Sequence, residues 1–293
     1  MSYDVVQTTQ FNAMLDIKEQ QMTSRLLPYS RRVQVTGDDF AYDGLDDVSA
    51  YYANGANARI QPTNVNFNRR KLSRNRIAVT LLVDRKNIRG MITDPQGELA
   101  AACIMAMERE VDRVIYAQMF ASVSTGRDFS TTVTFANDGG LTVDATSGLV
   151  YEEFLEILQN FMDSEVAIDG NRRVCMGITG DEHTDLMGES EITSGDYSRQ
   201  YVVDRGVVKQ AVGIELIPFG ASVTNPILQV DTNPYRVSFA MVDGAMVFGS
   251  SRERTLEIKD HPDYVESYVV HVVMECGSVR TRGSRIQKVN LTP

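Results

Sequence analysis

The stretch "GDEHTD" (residues 180–185) brings together more side chains capable of chemistry than any other short stretch of the sequence. It places Asp181, Glu182, His183 and Asp185 next to one another. A catalytic metal site needs about three converging ligands, and acid–base catalysis needs groups that face one point. On a helix only residues three or four apart share a face, so His183 points away from Asp181 and Asp185. Because acidic side chains stabilise the first turn of a helix, we interpret the stretch as a helix start rather than an active site.

The other reactive side chains are dispersed. His261 precedes a proline, and His271 alternates with apolar residues in "YVVHVVM"; neither has a partner at the spacing of a metal site or a nucleophile. Cys103, Cys175 and Cys276 lie far apart among apolar residues, which predicts reduced, buried thiols. No glycine-rich stretch has the spacing of a phosphate-binding loop. We therefore predict no enzyme activity, no catalytic residue, no metal and no cofactor.

The charges of the chain are unevenly distributed. A net charge of -10 argues against a protein whose main task is to bind nucleic acid. Opposite charges on two patches of one chain favour head-to-tail contacts between copies, so we predict inter-subunit contacts, or pairs within one loop, for an acidic and a basic block. The acidic block contains Asp38, Asp39, Asp43, Asp46 and Asp47, and the basic block begins with Arg69, Arg70, Lys71, Arg74 and Arg76.

Two helices are predicted from apolar periodicity. The first begins at Asp94 and Pro95, a good N-cap and a good first helical residue, and runs for roughly 37 Å to residue 120. We expect its charges between Glu108 and Arg113 to face solvent or a neighbouring copy. The second helix covers residues 149–163. Its predicted apolar face consists of Val150, Phe154, Leu155, Leu158, Phe161 and Met162.

The rest of the chain predicts an arm, a long excursion and many strands. The first thirty residues predict a helix that starts at Thr8 or Thr9 and stops at Pro28. Residues 31–82 predict two strands around a long polar connection, which is unusual in a compact domain and indicates a segment that leaves the body of its subunit. Strands and helices alternate next, and the last part is β-branched and alternating. The fold class is therefore α+β.

No apolar stretch has the length of about 20 residues that crosses a bilayer, and a signal peptide is missing, which predicts a cytoplasmic protein.

In the order of these parts the sequence resembles the major capsid proteins of tailed double-stranded DNA bacteriophages, whose fold is shared with encapsulins. The segment "LLVDRKNIRGMITDPQGELAAACIMAMEREVDRVIYAQMF" resembles the spine helix of that family and the strand before it. The segment "RRVCMGITGDEHTDLMGESEITSGDYSRQYVVDRGVVKQAVGIELIPFG" is similar to its axial domain. "DYVESYVVHVVMECGSVRTRGSRIQKVN" resembles its closing strands. The resemblance covers nearly the whole chain.

The resemblance implies a fold of four parts. These are an N-terminal arm (1–30), an extended two-stranded loop (31–82), a peripheral domain (83–148 and 236–293) with a spine helix at about 95–120, and an axial domain (149–235). It also implies a structural protein that self-assembles into pentamers and hexamers. These would form an icosahedral phage head around double-stranded DNA, so that the protein is made in the host bacterial cytoplasm and resides in the virion.

Partners are likewise implied by the resemblance. They are further copies of the chain, a portal protein, a decoration or cement protein, and packaged DNA contacted without sequence specificity; no membrane partner is expected. A separate scaffolding protein is expected, because an arm of thirty residues is too short to include a scaffolding segment. Some relatives join subunits by a lysine–asparagine isopeptide bond; the loop candidates are Lys71, Asn64, Asn66, Asn68 and Asn75, and we expect no such bond. The alternatives are an encapsulin-like nanocompartment shell and a tail-tube or head-completion protein.

Overall fold

The computed structural model describes residues 21–37, 39–45, 48, 50–52, 67–84, 96–145, 148–166, 172–189, 203–204, 207–221, 225–230, 235–260 and 267–292. The helices are α1 (Gln96–Phe120), α2 (Tyr151–Asp163) and α3 (Gly180–Gly188), with 3₁₀ turns at Leu27–Tyr29, Ala136–Asp138 and Gly283–Arg285. The strands are β1 (Arg31–Gln34), β2 (Asp39–Leu45), β3 (Phe67–Ser73), β4 (Asn75–Asp84), β5 (Val123–Thr125), β6 (Thr131–Val133), β7 (Leu141–Ala145), β8 (Val174–Ile178), β9 (Val203–Asp204), β10 (Val207–Val208), β11 (Gln210–Ala211), β12 (Ile214–Pro218), β13 (Arg236–Val242), β14 (Met246–Asp260), β15 (Ser267–Arg280) and β16 (Ile286–Leu291).

A long four-stranded sheet, in the order β1-β14-β15-β4, supports the first half of α1. Strand β15 pairs antiparallel with both β14 and β4, while β1 runs parallel to β14. Alternate residues of β4 pack with Cys103 and Met107 of the helix because successive side chains of a strand point to opposite faces. The predicted spine helix is confirmed from Gln96 onward; Asp94 and Pro95 lie outside the described residues.

A mixed six-stranded sheet, in the order β11-β12-β8-β13-β16-β7, forms the centre of the molecule. All five residues of β8 are buried because both faces of the sheet are covered. Helix α2 packs with Val174 and Met176 on one face, and the second half of α1 packs with Cys175 on the other. The sheet takes strands from both the predicted peripheral segments and the predicted axial segment, so strand pairing crosses those boundaries. The division into domains stays a prediction.

A third sheet, in the order β2-β3-β5-β6, contains a hairpin formed by β2 and β3. The prediction of two strands in residues 31–82 is wrong in number, because β1, β2, β3 and β4 all lie there. Strand β2 arises inside the aspartate-rich stretch, since Phe40 and Tyr42 alternate toward the body and pack near Val35 and Leu72. The acidic residues between them occupy the opposite face of the hairpin.

Helix α2 has the predicted position but a partly different apolar face. Phe154 and Phe161 are buried as predicted, whereas Leu155 is 44% and Met162 is 55% exposed. Ile157, which was not in the predicted face, is buried as well. The two stripes are adjacent on the helix, so periodicity alone could not decide which one packs on the sheet. An exposed apolar stripe remains on this helix.

The described part of the arm differs from the predicted helix. Residues 21–26 run as an irregular segment and only Leu27–Tyr29 forms a 3₁₀ turn; the predicted start at Thr8 or Thr9 lies outside the described residues. In the part of the chain that the structure describes, no helix is both long and apolar enough to cross a bilayer.

Candidate functional site

The arm is attached to α1 by two buried acidic side chains. The Glu108 carboxylate accepts a hydrogen bond from the backbone N–H of Ser24 at 2.9 Å. Asp112, one turn further along the helix, is completely buried. Its carboxylate accepts hydrogen bonds from four arm groups: the backbone N–H groups of Arg25 (2.9 Å) and Leu26 (3.0 Å), the Ser24 hydroxyl and the Gln21 side-chain amide. Residues 21–26 of the arm are therefore gathered around one face of the helix, where Glu108 and Asp112 lie.

This attachment corrects, for Glu108 and Asp112, the prediction that the charges between Glu108 and Arg113 face solvent or a neighbour; Glu110 and Arg113 pair with each other and remain partly exposed. Burial raises the pKa of Asp112, and the hydrogen bonds from Arg25, Ser24, Leu26 and Gln21 act in the opposite direction. The only sequence signal was the four-residue spacing of Glu108 and Asp112, which places both on one helix face. That spacing is also typical of a solvated face, so it could not reveal the arm.

The hairpin is attached to the body by a buried cluster of one acid and two arginines. The Arg70 guanidinium on β3 donates to both carboxylate oxygens of Asp138, at 2.6 and 2.7 Å. The Arg280 Nε at the end of β15 donates to Asp138 at 2.7 Å. The two arginine side chains are 1% and 0% exposed. Burial would raise the pKa of Asp138, but the bonds from Arg70 and Arg280 outweigh it and hold that pKa below its usual value.

Arg280 also connects this cluster to the end of the spine helix. Its guanidinium donates to the carbonyls of Met119 (3.4 Å), Ala121 and Val133 (3.1 Å). The last carbonyls of a helix lack partners within the helix and carry partial negative charge, so a cation is favourable there. Hairpin, spine helix and β15 thus meet at Arg280. Nothing in the sequence pointed to Asp138, which lies in the turn-forming stretch "NDGG".

The outward face of the hairpin carries two of the predicted acid–base pairs. Arg69 donates to both carboxylate oxygens of Asp43, at 2.6 and 3.1 Å. Lys71 pairs with Asp39 at 2.8 Å, and the Ser73 hydroxyl donates to the same carboxylate at 2.9 Å. Hydrogen bonds from the cationic partners lower the pKa of both aspartates. The structure therefore brings these four residues together within one loop.

The remaining predicted contact residues are distributed differently. Arg74 and Arg76 pair with Glu275 of β15, at 3.0 and 2.9 Å. Arg70 lies in the buried cluster and is directed inward. Asp38, Asp46 and Asp47 lie outside the described residues. Contact between subunits stays a prediction for all of these side chains.

The outward face of the hairpin ends in an apolar pair. Leu45 and Phe67 lie opposite each other across the strands and are 51% and 73% exposed. Tyr52, in the following segment, is 95% exposed. Large exposed apolar side chains next to one another mark interaction surfaces. The face thus consists of compensated charges followed by an apolar end.

The "GDEHTD" stretch has a structural role. It opens α3, where Glu182 accepts a hydrogen bond from the Thr179 N–H at 2.6 Å and pairs with the buried Arg236 at 2.9 Å. The His183 Nε2 accepts the Val208 N–H at 3.1 Å. Among the described residues no group of histidine, cysteine and acidic side chains could hold a metal ion. The three cysteines are free and buried, as predicted, and burial raises the pKa of Cys276 to about 11.

Comparison with known proteins decides the family. The profile of the family described as "Phage capsid protein" matches residues 5–291. The chain belongs to this family. It is therefore a structural protein of a phage particle rather than an enzyme, and it is a component of the virion. No curated protein sequence matches it.

Solved phage capsids share the fold of this capsid protein at low sequence identity. The capsid of cyanophage P-SCSP1u is similar at a TM-score of 0.69 and 10% identity, over 97% of this chain and 92% of that one. The capsid of Ralstonia phage GP4 gives 0.68 and 11%, over 97% and 95%. A structure of Mycobacterium phage Che8 gives 0.64 and 14%, over 95% and 98%. The predicted α+β capsid fold is confirmed.

Proposed function

We propose that this capsid protein forms the shell of an icosahedral phage head as pentamers and hexamers around double-stranded DNA. The single observation that carries the proposal is the family match across residues 5–291, together with similarity to capsid structures over nearly the whole chain. The four-part division into arm, extended loop, peripheral domain and axial domain belongs to the proposal. A portal protein, a separate scaffolding protein and a decoration protein are its expected partners, and synthesis takes place in the bacterial cytoplasm.

In this proposal the outward face of the hairpin lies over a neighbouring subunit. This face suits a contact between proteins because its charges are paired, Arg69 with Asp43 and Lys71 with Asp39. Leu45 and Phe67 add apolar surface beside these pairs. Exposed ion pairs contribute little individually, but a shell repeats each of them in every copy. Arg74 and Arg76 extend the charged surface toward β15.

Negative-stain electron microscopy of the purified protein tests the proposed assembly. Closed shells are the expected result. Tubes or rings would instead indicate a tail-tube or head-completion protein. Particles isolated from the native host that contain protein cargo and no DNA would favour an encapsulin-like compartment.

A charge swap tests the contact surface. The double variant Arg69→Glu with Lys71→Glu opposes Asp43 and Asp39 with like charges, so we expect fewer particles at every salt concentration. The swap Asp43→Arg with Arg69→Asp keeps the pair inside the hairpin but reverses the charges shown to a neighbour. If a neighbouring subunit contacts these charges, the swap also reduces the particle yield. A swap that assembles as well as the unchanged protein would limit the pair to a role inside the loop.

A further inference from the structure

One turn of the backbone gathers arginines from three distant parts of the chain. The turn at residues 243–245 connects β13 to β14. Its Asp243 N–H donates to the Arg173 carbonyl at 2.8 Å, and its Gly244 N–H donates to the Tyr29 carbonyl at 2.9 Å. Its Ala245 carbonyl accepts the Thr281 N–H at 2.8 Å. The segments that begin at these contact points carry Arg31, Arg32, Arg172, Arg173, Arg282 and Arg285.

Strand register places the last two of these segments, which carry Arg172 and Arg285, at one edge of the central sheet. Residue 286 of β16 lies beside residue 241 of β13, which lies beside residue 175 of β8. Neighbouring strands are about 4.8 Å apart, so Arg172 and Arg285 start roughly 10 Å from each other at this edge. Burial lowers the pKa of Arg285, and the charges of Arg172 and Arg282 lower it further. The cations therefore act on one another.

Few acids compensate this charge. Arg173 stacks on Tyr29 and lies 3.9 Å from both Asp243 and Glu215. Among the described residues no ion pair joins Arg31, Arg32, Arg172 or Arg285 to an acid. We call Arg172 and Arg285, which the strand register places at the same edge of the sheet, the arginine cluster. They form a basic surface on a chain whose net charge is -10.

The complementary surface lies on α2. This helix carries Glu152, Glu156 and Asp163 on its solvent side and has no basic residue. Within the described part of the chain these three acids make no ion pair. Leu155 and Met162, which are exposed, lie among them. We call this surface the acidic face of α2.

We propose that the arginine cluster of one copy contacts the acidic face of α2 of the next copy in a head-to-tail interface. The proposal rests on the proposed self-assembly and names two surfaces that carry it. A head-to-tail contact joins two different patches of the same chain and closes into a ring when the rotation permits. Arginine suits such an interface because its apolar stem covers Leu155 or Met162 while its guanidinium pairs with a carboxylate. The acidic excess of the chain disfavours phosphate as the partner.

Charge reversal on each side, followed by exchange of the two sides, tests the interface. Arg172→Glu with Arg285→Glu is compared with Glu152→Arg with Glu156→Arg, and particle yield is measured by sedimentation and negative-stain microscopy. Each pair should lower the yield about tenfold or more, because like charges across an interface oppose association. The fourfold variant that carries both changes should regain particles. Arg127→Glu, at an exposed arginine outside the cluster, should assemble normally.

The midpoint of unfolding, measured on each unassembled variant, shows whether that variant folds. If Arg172→Glu with Arg285→Glu does not fold, the milder pair Arg172→Ala with Arg285→Ala takes its place. Particles from both reversed pairs at the normal yield would overturn the interface. A fourfold variant that folds but does not assemble would also overturn it. If Arg172→Glu with Arg285→Glu assembles normally but binds a labelled DNA duplex more weakly, the partner of the cluster is DNA phosphate and the interface is overturned. If the unchanged protein forms no particles, the proposed function fails before this interface is tested.

Discussion

Asp112 and Asp138 are both buried carboxylates that attach an outlying segment to the body, but their partners differ in charge. Asp138 lies between two guanidinium groups, and its pKa is lowered. Within the described ranges, the hydrogen bonds that Asp112 accepts come from neutral groups of the arm, and its pKa is raised by burial. A buried charge with a counter-charge is stable in its ionised form, whereas one held by neutral donors retains part of its desolvation penalty. We therefore expect the hairpin to be the more firmly attached segment and the arm to be the more readily released one.

Removal of the acid between the two arginines should have the largest effect. Asp138→Ala leaves Arg70 and Arg280 buried without their carboxylate, and breaking a buried ion pair in this way costs about 3–5 kcal/mol. We expect the free energy of unfolding, measured in urea, to fall by that amount. Asp128→Ala, at an exposed acid of the same region, is the matched control and should change little. Equal effects of the two substitutions would remove the distinction between Asp138 and an ordinary surface acid.

Loss of the arm contact should have a smaller and more local effect. Asp112→Ala leaves the N–H groups of Arg25 and Leu26 without an acceptor, at a cost of about 1–3 kcal/mol. Hydrogen exchange of those two amides should accelerate while the amides of β15 keep their protection. Glu98→Ala, at the other end of α1, is the control. Acceleration in β15 as large as in the arm would mean that the arm is not released separately.

The two carboxylates should give stability profiles of opposite slope against pH. The folded pKa of Asp138 is lowered, so its contribution is complete above the unfolded value of about 4 and is lost as pH falls through the folded pKa. The folded pKa of Asp112 is raised, so the stability of the unchanged protein rises as pH falls from the raised value toward about 4. Unfolding of the unchanged protein and of the Asp138→Asn and Asp112→Asn variants in urea, both below and above about pH 4, measures each contribution. Parallel slopes for the two variants would contradict the comparison.

The difference between these sites also marks what the sequence can reveal. Local patterns predicted α1 and α2 and the helical role of "GDEHTD", because periodicity and capping depend on residues a few positions apart. Such patterns cannot predict the role of Asp138, because its partners Arg70 and Arg280 lie 68 and 142 positions away. The same holds for Asp112, which meets an arm residue 88 positions away.

The hairpin charges lie between these extremes. The aspartate-rich and arginine-rich blocks were visible, and strand register explains why Asp43 meets Arg69. The sequence did not reveal that Arg70 turns inward, because that depends on the alternation of β3 and on the body beneath it. The arginine cluster was missed for a related reason. Its members stand before β8 and before β16, far apart in the chain, and the pairing of both strands with β13 brings them together.

The position of Arg280 also determines when the hairpin can be fixed in place. Arg70 donates to the carbonyl of Arg280 itself, across 210 positions of the chain. Contacts between residues so far apart form slowly because a long loop must close first. A growing polypeptide that has not yet reached residue 280 therefore has Arg70 and Asp138 in place but lacks the contacts of Arg280 that complete this cluster.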